Sequence, residues 1–231
     1  MVELPKSEVY ERELVYMPYK KSLEAVCDTV CSEAPQKGNV LDLMCGPGYL
    51  LNQIQSRRND LSFRGVDLDP SYIAHAKEKY SGIKFEVGNV LLWNPGELFD
   101  VVLCTGSVHH LSYEDQPDFI KKIPSMMKPG GFSIISDCYI DNYANEAERR
   151  LAAAKLGYEY LIATIRNGAD EEVIVATLDI LLNDVMGEEF KTSLKKRMPV
   201  FKSVFDGVGN FKTWPGPDCE YGDYFTICRM S

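Results

Sequence analysis

The chain has 231 residues and a mass of 26.1 kDa, enough for one or two domains that bury a sizeable core without covalent staples. Hydrophobic residues at 45% and charged residues at 26% exclude a disordered or collagen-like chain. With 34 acidic against 25 basic residues, a net charge of −9 and a pI near 4.9, there is no general basic footprint for tracking phosphates. Nucleic acid is therefore not an expected partner outside a local patch.

The opening stretch MVELPKSEVYERELVY alternates charged and apolar residues and lacks the apolar core of a signal peptide. Residues 1–37 are read as a helical N-terminal extension of a single domain spanning 1–231. No window reaches the ~18 consecutive apolar residues of a membrane span. The seven cysteines are odd in number, and several lie in apolar runs, which predicts free thiols in a reducing cytoplasm. Cys27 and Cys31 share a helix face, but no further ligands follow at metal-site spacing, so no metal is expected.

From residue 39 onward, short apolar runs alternate with helical segments. The runs are NVLDLM (39–44), SFRGVD (62–67), IKFEV (83–87), FDVVLC (99–104) and FSIISD (132–137). This alternation predicts βαβ units and a doubly wound α/β fold around a mostly parallel sheet. Asp69-Pro70 marks one helix start, and Ser112 with Asp115 resembles a capping box before another. No proline occurs between Pro129 and Pro199, and three helical patterns fill the gap. Leu151, Ala154, Tyr158, Leu161 and Ile165 form the first stripe; Ile174, Leu178, Leu181 and Val185 form the second; Phe190, Leu194, Met198, Phe201 and Phe205 form the third. Pro199 is expected to kink or split the third helix. Residues 141–186 are read as a helical insertion serving as a substrate lid, and the chain is expected to close with a hairpin, NFKTW (210–214) and DYFTICRM (223–230).

The sharpest local signal is VLDLMCGPGYLL, a buried strand running into a glycine turn and then a helix. A dinucleotide site wants a third glycine three positions after the second, where this chain has Leu51. Asp42 also stands where a pyrophosphate would arrive. Asp67 ends the next strand, 21 residues after Gly46, a position suited to ribose hydroxyls. The pattern offers a nucleoside site without a phosphate site and favours a cationic ligand. Taken singly, each residue has a structural reading: a glycine turn, a helix cap at Asp67 or Asp69, a turn residue at Asn89.

Five segments in order, LDLMCGPGYLL, GVDLDPSYIAHAK, VGNVLLW, FDVVLCTGSVHHL and MMKPGGFSIIS, resemble the successive motifs of class I S-adenosylmethionine-dependent methyltransferases, particularly the small-molecule branch. The resemblance covers residues 38–138 strongly. It implies a seven-stranded sheet in the order 3-2-1-4-5-7-6 with the last strand antiparallel, and S-adenosyl-L-methionine as cofactor. It also implies that Cys45, Gly46 and Gly48 let the backbone approach the methionine part, with Asp42 near its amino group. Asp67 would hold the ribose, Leu68 would press on the adenine, and Asn89 and Val90 would meet the adenine edge. The family usually has aspartate where this chain has Asn89. Cys104 and Thr105 would place carbonyls near the methionine amino group. Apart from the resemblance, aromatics are dense near the expected mouth, and Tyr16 or Tyr19 is expected to close over the cofactor.

Alignment of the acceptor with the methyl group and exclusion of water carry most of such a reaction. A base is needed only where the acceptor holds a proton, and His110, preferred over His109, is the candidate. A structural reading has both histidines bracing the loop, and His75 is expected to be solvated. The run after the fourth strand, Cys104-Thr105-Gly106-Ser107, lacks the Asn/Asp-Pro-Pro-aromatic motif of enzymes that methylate base amines. The basic run KTSLKKRMPVFK (191–202) is expected to be a solvated helix face. The expected substrate is a small molecule. Methylation of tRNA or protein is the alternative, as is a non-catalytic cofactor-binding subunit, and homodimerisation stays open.

Overall fold

The computed structural model describes residues 7–187 and 189–230, so the first six residues of the expected N-terminal extension lie outside the described residues. Helices α1 (Ser7–Tyr16) and α2 (Lys20–Glu33) precede β1 (Asn39–Leu43). Next come α3 (Tyr49–Arg57), β2 (Ser62–Asp67), α4 (Pro70–Lys79) and β3 (Lys84–Val87). β4 (Phe99–Thr105) passes through a 3₁₀ turn at Val108–His110 to α5 (Asp115–Lys122) and β5 (Met127–Tyr139). α6 (Glu146–Arg166), α7 (Glu171–Met186), α8 (Leu194–Val204), β6 (Gly207–Trp214) and β7 (Gly222–Arg229) complete the order.

The strands form one seven-stranded sheet in the order β3-β2-β1-β4-β5-β7-β6. β1 to β5 pair in parallel, while β7 is antiparallel to both β5 and β6. This is the doubly wound methyltransferase-type sheet that the five motifs imply. Both faces are covered because strand side chains alternate with period two. Val40, Val101, Leu103 and Ile134 face the layer of α2, α3 and α4; Leu41, Val102, Cys104 and Ile135 face the layer of α5 and α8. The seven cysteines are free thiols. No helix among the described residues is long and apolar enough to cross a membrane.

Several helix ends follow from local chemistry. The Asp69 side chain accepts the Ser71 N–H at 2.7 Å ahead of Pro70. Ser112 Oγ accepts the Asp115 N–H at 3.1 Å and donates to its carboxylate at 2.8 Å. Asn145, Asp170 and Ser193 cap α6, α7 and α8, and α7 stops at Gly187 with φ 87°.

Other expectations are corrected. The stripe expected to pack α6 inward faces water instead, with Leu151 at 73% and Tyr158 at 57% exposure. The inward face carries Ala152, Ala153, Leu156 and Gly157. A Cβ on Gly157 would lie 2.5 Å from Leu181 Cδ1, so small residues bring α6 and α7 into close approach. The third pattern starts later than expected, because residues 190–193 are extended and Ser193 bridges Ile140. Pro199 does not split α8. The carbonyl it leaves unmatched belongs to Lys195, on the exposed side. His75 is not solvated: its Nε2 lies 3.3 Å from the Glu11 carboxylate of α1.

Candidate functional site

The carboxyl ends of β1, β2 and β4 converge beneath α1. The chain leaves β1 through Met44 at φ 57°, a left-handed conformation that costs a non-glycine residue about 1–2 kcal/mol. Gly46 (φ 53°) and Gly48 (φ 87°) then turn it into α3. A narrow cavity of about 20 Å³ lies here, lined by Tyr10, Leu14, Asp42, Met44, Cys45 and Thr105 among others. Asp67 reaches in from β2. Its Oδ2 accepts the Gly46 N–H at 2.8 Å and its Oδ1 accepts the Asp69 N–H at 2.9 Å.

Three carboxyl groups surround Tyr10 here: Asp42 lines the cavity, and Glu13 and Asp67 flank it. Asp42 is 1% exposed, and its Oδ1 has no hydrogen-bond partner. Burial, and then the charge of Asp67, push its pKa up to about 8. Glu13, from α1, is likewise buried with Oε1 unpartnered, and burial pushes it up to about 7. Burial also raises Asp67, although its two backbone donors and nearby His110 pull the other way. Among the described residues, none of the three has a basic side chain within ion-pair distance. A phosphate would meet these acids and find the Gly46 N–H already occupied. A ligand carrying positive charge would relieve the acids.

A family model described as a methyltransferase domain matches residues 40–131, from β1 to the start of β5. A carboxy-S-adenosyl-L-methionine synthase of Campylobacter curvus is 26% identical over 206 residues, covering 85% of this chain and 84% of that protein. A putative methyltransferase of Invertebrate iridescent virus 6 is 34% identical over 83 residues, spanning 32% of this chain and 31% of its own length. The plantazolicin methyltransferase BpumL, solved with a desmethyl-plantazolicin analogue and S-adenosylhomocysteine, superimposes with a TM-score of 0.66. It is 12% identical, and the match covers 97% of this chain and 88% of that one. Residues 40–131 thus form a methyltransferase domain, on the fold of S-adenosylmethionine-dependent methyltransferases. The cofactor of this methyltransferase is S-adenosylmethionine.

The pocket suits that cofactor. Unpaired Asp42 and Glu13 match its positive groups, and each Asp67 oxygen keeps a lone pair for a ribose hydroxyl. Leu68 is 65% exposed directly beside Asp67, an apolar shelf free for a base. Asp42, Cys45 and Thr105 line the cavity, and Gly46 borders it under the Tyr10 ring.

The side chains of the other expected residues have packing or turn roles of their own. Gly48 faces away: a Cβ there would come within 2.6 Å of Phe85, so its immediate reason is close packing of α3 on the sheet. Val90 and Cys104 are buried in the core layer under α5 and α8, and their side chains do not line the cavity. The Asn89 oxygen accepts the Leu91 N–H at 3.0 Å, so one lone pair is already committed to the turn. Tyr19 lies over Gly106, the residue just after β4, at φ 62°, close enough to exclude a Cβ.

A second polar cluster is built where β4 and β5 end. His109 is buried, and its Nδ1 lies 2.5 Å from Asp137 Oδ1. Burial would raise the Asp137 pKa, but His109, Arg197 and the Cys138 N–H hold it below its ordinary value. His109 Nε2 lies 3.3 Å from Glu189 Oε2, and His110 Nδ1 lies 2.9 Å from the same oxygen. His110 itself is 46% exposed. Deeper in, Lys191 Nζ contacts both Asp184 oxygens at 2.5 and 2.7 Å. Arg197 donates to Gln116 at 2.5 Å, and the Tyr160 hydroxyl donates to Asp223.

The basic run 191–202 is thus only partly a solvated face, since Lys191 and Arg197 are buried. Glu13, Asp137, Glu189 and Asp223 were not singled out from sequence. Asp137 had a usable signal, as the acid closing the FSIISD run at the end of a parallel strand. Glu13 and Glu189 had none, being glutamates in charged stretches.

Proposed function

We propose that this methyltransferase acts on a small organic molecule held between the ends of β4 and β5 and the paired helices α6 and α7. The observation that carries this reading is the enclosed polar cluster of His109, Asp137, Glu189 and Asp223, next to the pocket of unpaired acids. A buried, precisely hydrogen-bonded cluster suits a small ligand better than a polymer. The only long basic run places Lys191 and Arg197 inside the protein, where they offer no charge to RNA.

S-adenosylmethionine supplies a methyl group already activated on a sulfonium. The protein's share is to hold the acceptor in line with it and keep water out, and such positioning lowers a barrier by about 7–11 kcal/mol. We assign the cover to α1, α6 and α7 together. Arg12 of α1 pairs with Glu172 and lies 3.5 Å from Asp170, and Asn167 donates to the Tyr16 carbonyl at 2.6 Å. His109 is the residue we place against the acceptor, ahead of His110. Asp137 engages its Nδ1, which leaves Nε2 as the nitrogen that faces the ligand. Cytoplasmic location and homodimerisation through the exposed Leu151, Tyr158, Leu178 and Leu182 surface belong to the same proposal.

The test is methyl transfer from labelled S-adenosylmethionine in an extract of small molecules, RNA and protein. Label entering the acid-soluble small-molecule fraction supports the reading. Label confined to RNA or protein overturns it.

A further inference from the structure

His109 and His110 are consecutive, yet their rings converge, with centroids 4.3 Å apart. Glu189 enters between them from the segment after α7. His109 Nε2, His110 Nδ1 and a Glu189 carboxylate oxygen all lie within 4.8 Å of one another. Glu189 Oε2 is buried and close to both nitrogens, at 3.3 and 2.9 Å, yet it makes no properly directed hydrogen bond with either. These are separations expected of ligands sharing a cation. Two ligands about 2.1 Å from one ion stand about 3.0 Å apart at right angles and about 3.4 Å apart at a tetrahedral angle.

The other face of His109 behaves differently. At 2.5 Å, Nδ1 and Asp137 Oδ1 are too close to be neighbouring ligands of one ion, and the contact is a hydrogen bond. Cys138 Sγ, 3.9 Å from that nitrogen, therefore completes no site there. A carboxylate behind a histidine fixes its tautomer and aims its second nitrogen at a metal. Around the cluster, Asp184 is paired with Lys191, and Arg197 with Gln116.

We propose that His109 Nε2, His110 Nδ1 and Glu189 bind a divalent first-row transition-metal ion, with Asp137 as the positioning residue for His109. Two histidines and one carboxylate leave coordination positions open to an oxygen ligand. The ion's role rests on the placement of the acceptor beside His109. There it would hold an acceptor oxygen and make its proton easier to lose, so that Nε2 need not act as a base. The binding site itself rests only on these side chains.

The experiment is calorimetric titration of MnCl₂ and of ZnCl₂ into the full chain after chelator treatment, with S-adenosylhomocysteine titrated into the same samples. The expected result is one equivalent of metal bound by the native protein. Glu189→Gln and His110→Ala should each bind at least ~10-fold more weakly, and Asp137→Asn ~10–100-fold more weakly without losing a ligand. Retained S-adenosylhomocysteine affinity shows that each variant is folded. Absence of metal binding in the native protein overturns the proposal. So does an affinity unchanged in Glu189→Gln and His110→Ala, or one abolished only by Cys27→Ala with Cys31→Ala. Failure of S-adenosylhomocysteine to bind would instead strike the methyltransferase reading and leave the metal site standing.

Discussion

Asp67 Oδ2 accepts the Gly46 N–H at 2.8 Å, tying the end of β2 to the turn that leaves β1. The bond explains the spacing of these residues in the chain. Adjacent parallel strands bring their carboxyl ends side by side, so an acid closing β2 reaches the first glycine after β1. It also pre-sets the carboxylate, with one lone pair of each oxygen engaged by backbone and the other turned outward.

Asp67→Ala is expected to weaken S-adenosylhomocysteine binding at least ~100-fold, since hydrogen bonds to a charged group contribute about 1.5–3 kcal/mol each. The fold should persist, because the residue closes a strand at the pocket rather than filling the core. Calorimetric titration alongside thermal unfolding checks both, and near-native affinity would remove Asp67 from the cofactor site.

Asp42 makes the empty protein less stable as pH rises. Its ordinary pKa of 3.8 is pushed up to about 8 on folding, by burial first and by Asp67 second. The folded state therefore binds more protons than the unfolded state between those values. The stabilisation is complete below about pH 4 and is lost as pH climbs towards 8. A shift of this size corresponds to roughly 6 kcal/mol as an upper bound. Asp42→Asn should flatten this slope in urea denaturation at pH 5 and pH 8, and should raise stability at the higher pH. The same change should weaken S-adenosylmethionine, which gains from the ionised carboxylate.

Gly48→Ala should destabilise the protein by about 2–4 kcal/mol. The residue sits at φ 87°, and the added Cβ would fall 2.6 Å from the Phe85 ring, against backbone-anchored packing of α3 on the sheet. Chemical denaturation measures the loss. A cost below 0.5 kcal/mol, on the scale of ordinary surface changes, would mean that the turn relaxes freely.

Lys191 and Asp184 form a buried ion pair joining α7 to the segment that bridges β5. Removing one partner leaves a buried charge uncompensated, so Lys191→Met should cost about 3–5 kcal/mol. The double replacement Lys191→Met with Asp184→Leu should recover most of that loss. Equal losses in the single and double variants would show that the pair contributes nothing by itself.

The strand order followed from the family resemblance, whereas the parallel βαβ layer, the glycine turn and the acid that closes β2 were legible in the sequence because they depend on local patterns. These are buried β-runs, residues that tolerate positive φ, and an acid at the end of a strand. The capping of α4 by Asp69 was legible for the same reason. Which face of α6 turns inward was not: apolar spacing defined a stripe through Leu151 and Tyr158, but the helix packs through Ala152, Ala153 and Gly157 because close approach to Leu181 rewards small residues.

The sequence alone, through its motifs, determined the architecture and the cofactor class. Only the tertiary structure decided that Glu13 joins Asp42 and Asp67 without a cation, and that His109 rather than His110 is fixed by Asp137. It also decided that Glu189, some 80 residues beyond the histidines, closes on both rings. Local pattern records conformational preference and burial within one element. Charge desolvation and side-chain convergence arise between elements distant in the chain, and their energies exist only once the packing is complete.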